Sequence, residues 1–144
     1  MKHFLDANVF MYAAGRAHPL KAPSVAVLRR VAQEELEAVT NAEVLQEILY
    51  RYAAIGESER GLHLARLAVA QVGGDVLPVT LADTQRALDL VAHYGTRIRS
   101  RDAVHAATML NNGLTRIIST DTHFDLIEGI TRIDPRKARG VRPS

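Results

Sequence analysis

Carboxylates are the side chains of this sequence with the clearest chemical use. Asp6 closes the apolar run Phe4-Leu5, and Asp121 follows the pair Ile117-Ile118 at short distance. Both patterns read as short buried strands ending on an acid. If the two strands are parallel neighbours, both carboxylates emerge at one edge of the sheet, where they repel and one pKa rises. A divalent cation removes that penalty, and oxygen ligands are what Mg²⁺ and Mn²⁺ take. Each acid also has a structural explanation. Asp6, ahead of a helix over 7–14, Asp121, ahead of a short helix, and Asp102, at a helix start, can all act as N-caps. Glu47 lies inside a helix beside the Val44–Ile48 stripe, where no cap is needed; an acid there either reaches to water or faces a site. Glu43 has capping-box spacing in Thr40-Asn41-Ala42-Glu43, so a structural role is expected. Asp125 lies four residues beyond Asp121 and is expected as a secondary member. His105 and His123 stand close to Asp102 and Asp121, but neither has a second histidine at metal spacing, and both are placed outside the ligand set.

The elements that must position these acids follow from periodicity. Short strands are expected at 3–6, 38–40, 75–80, 114–119 and 130–133. Pro78 suits an edge or a strand end. Helices are expected over roughly 24–37, from about 42 to just before Gly56, over 58–72, over 81–94 with Thr80 as cap and Gly95 as stop, and over 102–112. The apolar stripes are read as Leu62, Ala65, Leu67 and Val69 in the third of these helices, and as Leu81, Ala87, Leu88, Val91 and Ala92 in the fourth. Strands alternating with helices predict an α/β domain with a mainly parallel sheet, in which ligands sit beyond the carboxyl ends of the strands.

Composition narrows the partners. At 144 residues the chain fits one domain, 1–144, with a polar, basic tail from about Pro135. No cysteine is present, which removes disulfides, thiolate zinc sites and cysteine nucleophiles. No apolar run approaches the roughly 20 residues of a membrane span, and the acid at position 6 interrupts any secretory signal, so a cytoplasmic protein is expected. Of 18 basic residues, only Lys2, Lys21 and Lys137 are lysine; the rest are arginine, whose planar fork suits phosphate. Arg97, Arg99 and Arg101 alternate in one segment, and Arg136, Lys137, Arg139 and Arg142 crowd the C-terminus. An arginine-rich genome that prefers this codon set explains the usage as a whole equally well, but explains the two clusters less well.

The order Phe4-Leu5-Asp6-Ala7-Asn8-Val9, Val44-Leu45-Gln46-Glu47-Ile48-Leu49, Asp102-Ala103-Val104-His105-Ala106-Ala107 and Ile118-Ser119-Thr120-Asp121-Thr122-His123-Phe124-Asp125 resembles the PIN-domain nucleases, and most of all the VapC-type toxins of VapBC toxin–antitoxin pairs. The resemblance spans nearly the whole chain. It implies a three-layer α/β/α sandwich, often homodimeric, that cuts RNA with Mg²⁺ or Mn²⁺. Asp6, Glu47, Asp102 and Asp121 match the family's acidic quartet, with Asp6, Asp102 and Asp121 as metal ligands and Asp125 as a possible further acid. Asn8 and Thr120 match polar positions that hold waters or orient carboxylates. Arg97, Arg99 and Arg101 would bind the RNA backbone at some distance from the acids. The resemblance further implies a cognate VapB-like antitoxin whose C-terminal segment occupies the groove. A haloacid-dehalogenase-type domain would need an acid at position 8, where Asn8 stands, and a receiver domain needs a lysine near the last strands. A PIN-like module that binds RNA or protein without cutting stays open as the alternative.

Overall fold

The strands β1 (His3–Leu5), β2 (Ala38–Asn41), β3 (Val76–Leu77), β4 (Arg116–Ile118) and β5 (Thr131–Ile133) alternate with the helices α1 (Ala7–Ala14), α2 (Lys21–Ala32), α3 (Ala42–Ala54), α4 (Ser58–Gln71), α5 (Leu81–Tyr94) and α6 (Ser100–Asn111). The computed structural model describes residues 1–143, so Ser144 lies outside the described residues. The strands form one sheet in the order β3-β2-β1-β4-β5. Every pairing is parallel, with His3 opposite Ala38, Phe4 opposite Ile117, Thr40 opposite Val76 and Ile118 opposite Ile133. Helices flank the sheet, packed chiefly as the pairs α1–α2, α3–α4 and α5–α6. Phe4, Leu5, Phe10, Ile48, Ile117, Ile118 and Phe124 are fully buried at its centre, each contributing roughly 1.5–3 kcal/mol of apolar burial.

The strand order reverses at β1. The chain leaves β1 for β2 on one side, and β4 returns on the other side. In open parallel sheets such a reversal leaves a crevice beyond the carboxyl ends of the two central strands. Asp6 follows β1 directly and Ser119 follows β4 directly, so both sit at that crevice. Pro78, which cannot donate to a ladder, lies just past β3, and β3 is the short edge strand.

Four expectations change. The helix expected over 24–37 begins at Lys21, because Pro23 falls in its first turn and needs no N–H partner there. It ends at Ala32; Glu34 takes φ 60°, and Leu36 reaches the core from the loop instead. In α4 the buried face is Gly61, Leu64, Ala65 and Ala68, while Leu62 and Leu67 are exposed. In α5 the buried positions are Asp83 and Ala87, and Leu81, Leu88 and Val91 face solvent. The C-terminal residues expected as a tail form a 3₁₀ helix over Pro135–Gly140, with Pro135 and Ala138 buried. The Arg30 guanidinium holds it by donating to the carbonyls of Ala138 (2.7 Å) and Val141 (2.9 Å).

Candidate active site

Asp6 is 4% exposed and is fixed by three donors. The Ala7 N–H donates to Oδ1 (2.7 Å), and Asn8 Nδ2 (3.1 Å) and the Ser119 hydroxyl (2.6 Å) donate to Oδ2. The Ser119 hydroxyl also accepts from the Asp121 N–H (3.0 Å) and from Asn8 Nδ2 (3.2 Å), and the Asn8 carbonyl oxygen accepts from the Thr120 N–H (3.2 Å). One serine therefore ties the end of β1 to the end of β4. Asp121 caps the 3₁₀ helix Thr122–Leu126 by accepting from the His123 N–H (2.9 Å). Asp102 is the third residue of α6, not its first, and accepts from the Arg99 N–H (3.3 Å). Glu47 comes from α3; its Oε1 lies 2.5 Å from His105 Nε2 on α6 and its Oε2 3.7 Å from Arg101 Nε.

The side chains fall into two neighbouring groups, linked through Ser119. Asp6, Glu47 and His105 form one; Asp102, Asp121 and His123 form the other. Within each, the donor atoms lie within 4.8 Å of one another. Burial raises the Asp6 carboxyl above its ordinary value; His105 opposes the rise, the charge of Glu47 adds to it, and the hydrogen bonds from Ser119 and Ala7 oppose it less. Burial, then the charges of Asp121 and Asp6, push Asp102 up to about 6. For His105 burial works downward, but the hydrogen bond with Glu47 and the surrounding carboxylates carry the ring above its ordinary value. These are the signs expected of negative charge crowded in a dry crevice. The donor set, mainly carboxylate oxygens, fits Mg²⁺ or Mn²⁺. The site opens into a groove of about 860 Å³ whose walls include Tyr12, Arg16, Arg51, Tyr52, Arg60, Arg99 and Arg101.

The sequence model of the PIN domain matches residues 3–130. The chain belongs to the PIN domain family. Ribonuclease VapC13 of Mycobacterium tuberculosis is 38% identical over 129 residues, which are 90% of this PIN domain chain and 97% of that protein. Ribonuclease VapC23 of the same species is 36% identical over 121 residues, covering 82% and 91% of the two chains. Among solved structures, FitAcB from Neisseria gonorrhoeae matches with a TM-score of 0.70 at 19% identity, over 94% of this chain and 99% of that one. VapC20 of M. tuberculosis, described as a Sarcin-Ricin loop cleaving toxin, matches with a TM-score of 0.67 at 15% identity, over 85% and 91%.

Within this PIN domain, Asp6, Glu47, Asp102, Asp121, Asn8 and Thr120 all reach the groove. Asp6 and Asp121 both cap, each accepting a backbone N–H, and both also line the groove beside the other acids. Asp125 does not join them; its carboxylate is held by Arg132 (2.9 and 3.2 Å). The capping box expected of Glu43 does not form. Asn41 caps α3 by accepting from the Val44 N–H (3.0 Å), the Thr40 hydroxyl donates to the Leu5 carbonyl (3.0 Å), and Glu43 lies half-buried near Glu47. Of the three clustered arginines, Arg99 and Arg101 line the groove, whereas Arg97 donates to the carbonyls of Tyr94 and His93. Arg101 is also closer to the acids than expected.

Sequence reasoning missed both histidines, Ser119 and the arginines Arg16, Arg51 and Arg60. His105 carried a signal, being three residues past Asp102 on one helix face, as did Arg51, one turn past Glu47. Ser119 makes contacts that predict its loss: Ser119→Ala leaves Asp6 without its shortest hydrogen bond and the Asp121 N–H without a partner. Turnover is expected to fall about 10- to 100-fold, as for other groups that orient ligands, with a stability loss of about 1–2 kcal/mol. Steady-state cleavage of a fluorogenic RNA and thermal unfolding measure the two.

Proposed function

We propose that this PIN domain, working as one unit over 1–144, is a Mg²⁺- or Mn²⁺-dependent endoribonuclease and the toxin of a type II toxin–antitoxin pair. The observation that carries the reading is the meeting of Asp6, Glu47, Asp102 and Asp121 at the β1–β4 crevice, inside a groove walled by arginines. Names of the relatives agree with it: those at 36–38% identity are ribonucleases.

Asp6, Asp102 and Asp121 would hold the ion. When bound, it supplies Lewis acidity, lowering the pKa of attacking water and stabilising charge on the phosphate. The chain's own part is positioning and proton transfer. Ser119, Asn8 and the Ala7 N–H fix Asp6, so little reorganisation is left to the moment of reaction. Glu47, held by His105 on one oxygen, would complete the shell or take the proton of the water. Arg16, Arg51, Arg60, Arg99 and Arg101 would hold RNA phosphates along the groove. Attack by water, not by the ribose 2′-hydroxyl, gives 5′-phosphate and 3′-hydroxyl ends.

A VapB-like antitoxin, a homodimer and a cytoplasmic location complete the proposal. The exposed Leu81, Leu88 and Val91 of α5 and Leu62 and Leu67 of α4 offer apolar faces for such partners. No helix among the described residues is long and apolar enough to cross a membrane. Purified protein freed of any partner, incubated with total RNA and Mg²⁺ or Mn²⁺, is expected to cleave it, and EDTA to stop the cleavage. Absence of EDTA-sensitive cleavage would leave a PIN module that binds without cutting.

A further inference from the structure

The geometry points to His123 as a nitrogen ligand of the ion held by Asp102 and Asp121, an arrangement that tunes this site toward Mn²⁺ over Mg²⁺; the inference rests on the metal-dependent reading above. His123 Nδ1 lies 2.7 Å from Asp121 Oδ1 and 3.6 Å from Asp102 Oδ2, and the three residues form one compact donor group. That nitrogen is screened from solvent and yet makes no hydrogen bond. The approach to Asp121 is short enough for one but lacks the direction, and Asp121 Oδ1 already accepts from the His123 N–H (2.9 Å). A buried ring nitrogen without an aligned hydrogen-bond partner, set against oxygens of two carboxylates, is placed as a ligand of a cation held by those carboxylates would be.

His105 makes the contrast. Its Nε2 is aligned on Glu47 at 2.5 Å and is committed to that hydrogen bond. The placement of His123 is local. Asp121 caps the turn, and fully buried Phe124 anchors it, so His123, just before the anchor, is turned back beside the capping carboxylate.

Ion preference follows from donor type. Mg²⁺ is hard and takes oxygen, keeping much of its water, whereas an imidazole nitrogen suits first-row transition ions better. One nitrogen added to carboxylate oxygens therefore favours Mn²⁺.

The test is calorimetric titration of wild type, His123→Ala and His123→Asp with Mn²⁺ and with Mg²⁺, each protein first checked by thermal unfolding. Wild type is expected to bind Mn²⁺ at least about tenfold more tightly than Mg²⁺. His123→Ala should lose about 10- to 100-fold for Mn²⁺, the range seen when groups around a metal are removed, and much less for Mg²⁺. His123→Asp should keep both ions but narrow the preference, because it returns an oxygen. A folded His123→Ala protein that binds Mn²⁺ as well as wild type, or better, overturns the assignment. That is the result expected if the ring served only as an imidazolium paired with the two acids. Should His123→Ala not fold, an undiminished Mn²⁺ preference in His123→Asp overturns it equally. Wild type that binds neither ion overturns the nuclease reading itself.

Discussion

Asp6→Asn is expected to reduce RNA cleavage at least about 100-fold while the melting temperature stays at or above that of wild type. Asparagine keeps the cap, since its carbonyl oxygen can still accept from the Ala7 N–H. It loses two interactions, because its amide replaces the Oδ2 that accepts from Asn8 Nδ2 (3.1 Å) and from the Ser119 hydroxyl (2.6 Å), a loss of about 1 kcal/mol each. Against this stands the burial of a charge that the folded protein disfavours. The folded pKa of Asp6 is raised, mainly by burial, so the folded state holds its proton more tightly than the unfolded chain. Stability therefore falls as pH rises from the ordinary carboxylate value toward the raised one. Asparagine does not titrate, so the advantage of the variant should be absent near pH 3 and grow as the pH rises. Thermal melts across pH 3–7 in EDTA, beside cleavage assays at pH 7, check both halves. A variant that melts well below wild type at neutral pH would mean that Asp6 is chiefly a cap.

The same linkage holds for the neighbouring acid. Asp102 rises from 3.8 to about 6, on the order of 3 kcal/mol against its ionised form. Burial is the largest part of that penalty and the repulsion of Asp121 and Asp6 adds to it; a cation placed among the three carboxylates would relieve the repulsion. An ion bound there would gain from the relief of that repulsion as well as from its contacts with the carboxylate oxygens.

The parts of this site that were legible in the sequence are those set by short-range pattern. Asp6 and Asp121 could be placed because a strand's end is marked by where its apolar run stops. Glu47 could be placed because an acid beside a core stripe lacks a local excuse. The faces of α4 and α5 were not legible for one reason. The inner faces are made of small or polar residues, Gly61, Ala65 and Ala68 in one and Asp83 and Ala87 in the other, while larger apolar residues lie outside. Pattern reading follows the larger residues, and these outer positions are where a partner would dock. Ser119 was illegible for a different reason. Its importance is a contact with Asp6 across 113 positions of sequence, which no local spacing encodes. Asp125 erred in the opposite sense: its spacing was right, but Arg132 on the neighbouring strand claimed it.

Gly61→Val should lower stability by about 2–3 kcal/mol, a drop of roughly 3 °C per kcal/mol in a chain of this length. In sequence, a glycine inside α4 reads as a weak point, and valine would improve helix propensity by about a few tenths of a kcal/mol. Packing reverses the sign. A Cβ at position 61 would lie 2.7 Å from Tyr52 Cβ and 3.3 Å from its Cγ, with the Ile48 carbonyl oxygen at 3.5 Å. The first of these atoms is fixed to the α3 backbone and cannot swing away, so the helices must separate. Truncating the ring as Tyr52→Ala leaves that Cβ in place, and the double variant should stay destabilised; Tyr52→Gly alone removes the clash. The consequence reaches the site because α3 carries Glu47 and the groove residues Arg51 and Tyr52. A displaced α3 pulls Glu47 from His105, so the folded fraction of Gly61→Val should cleave RNA more slowly at saturating substrate, with metal affinity little changed, since Asp102 and Asp121 stand on other elements. Equal turnover per folded molecule would show that α3 yields elsewhere and that the close approach of α3 and α4 serves stability alone.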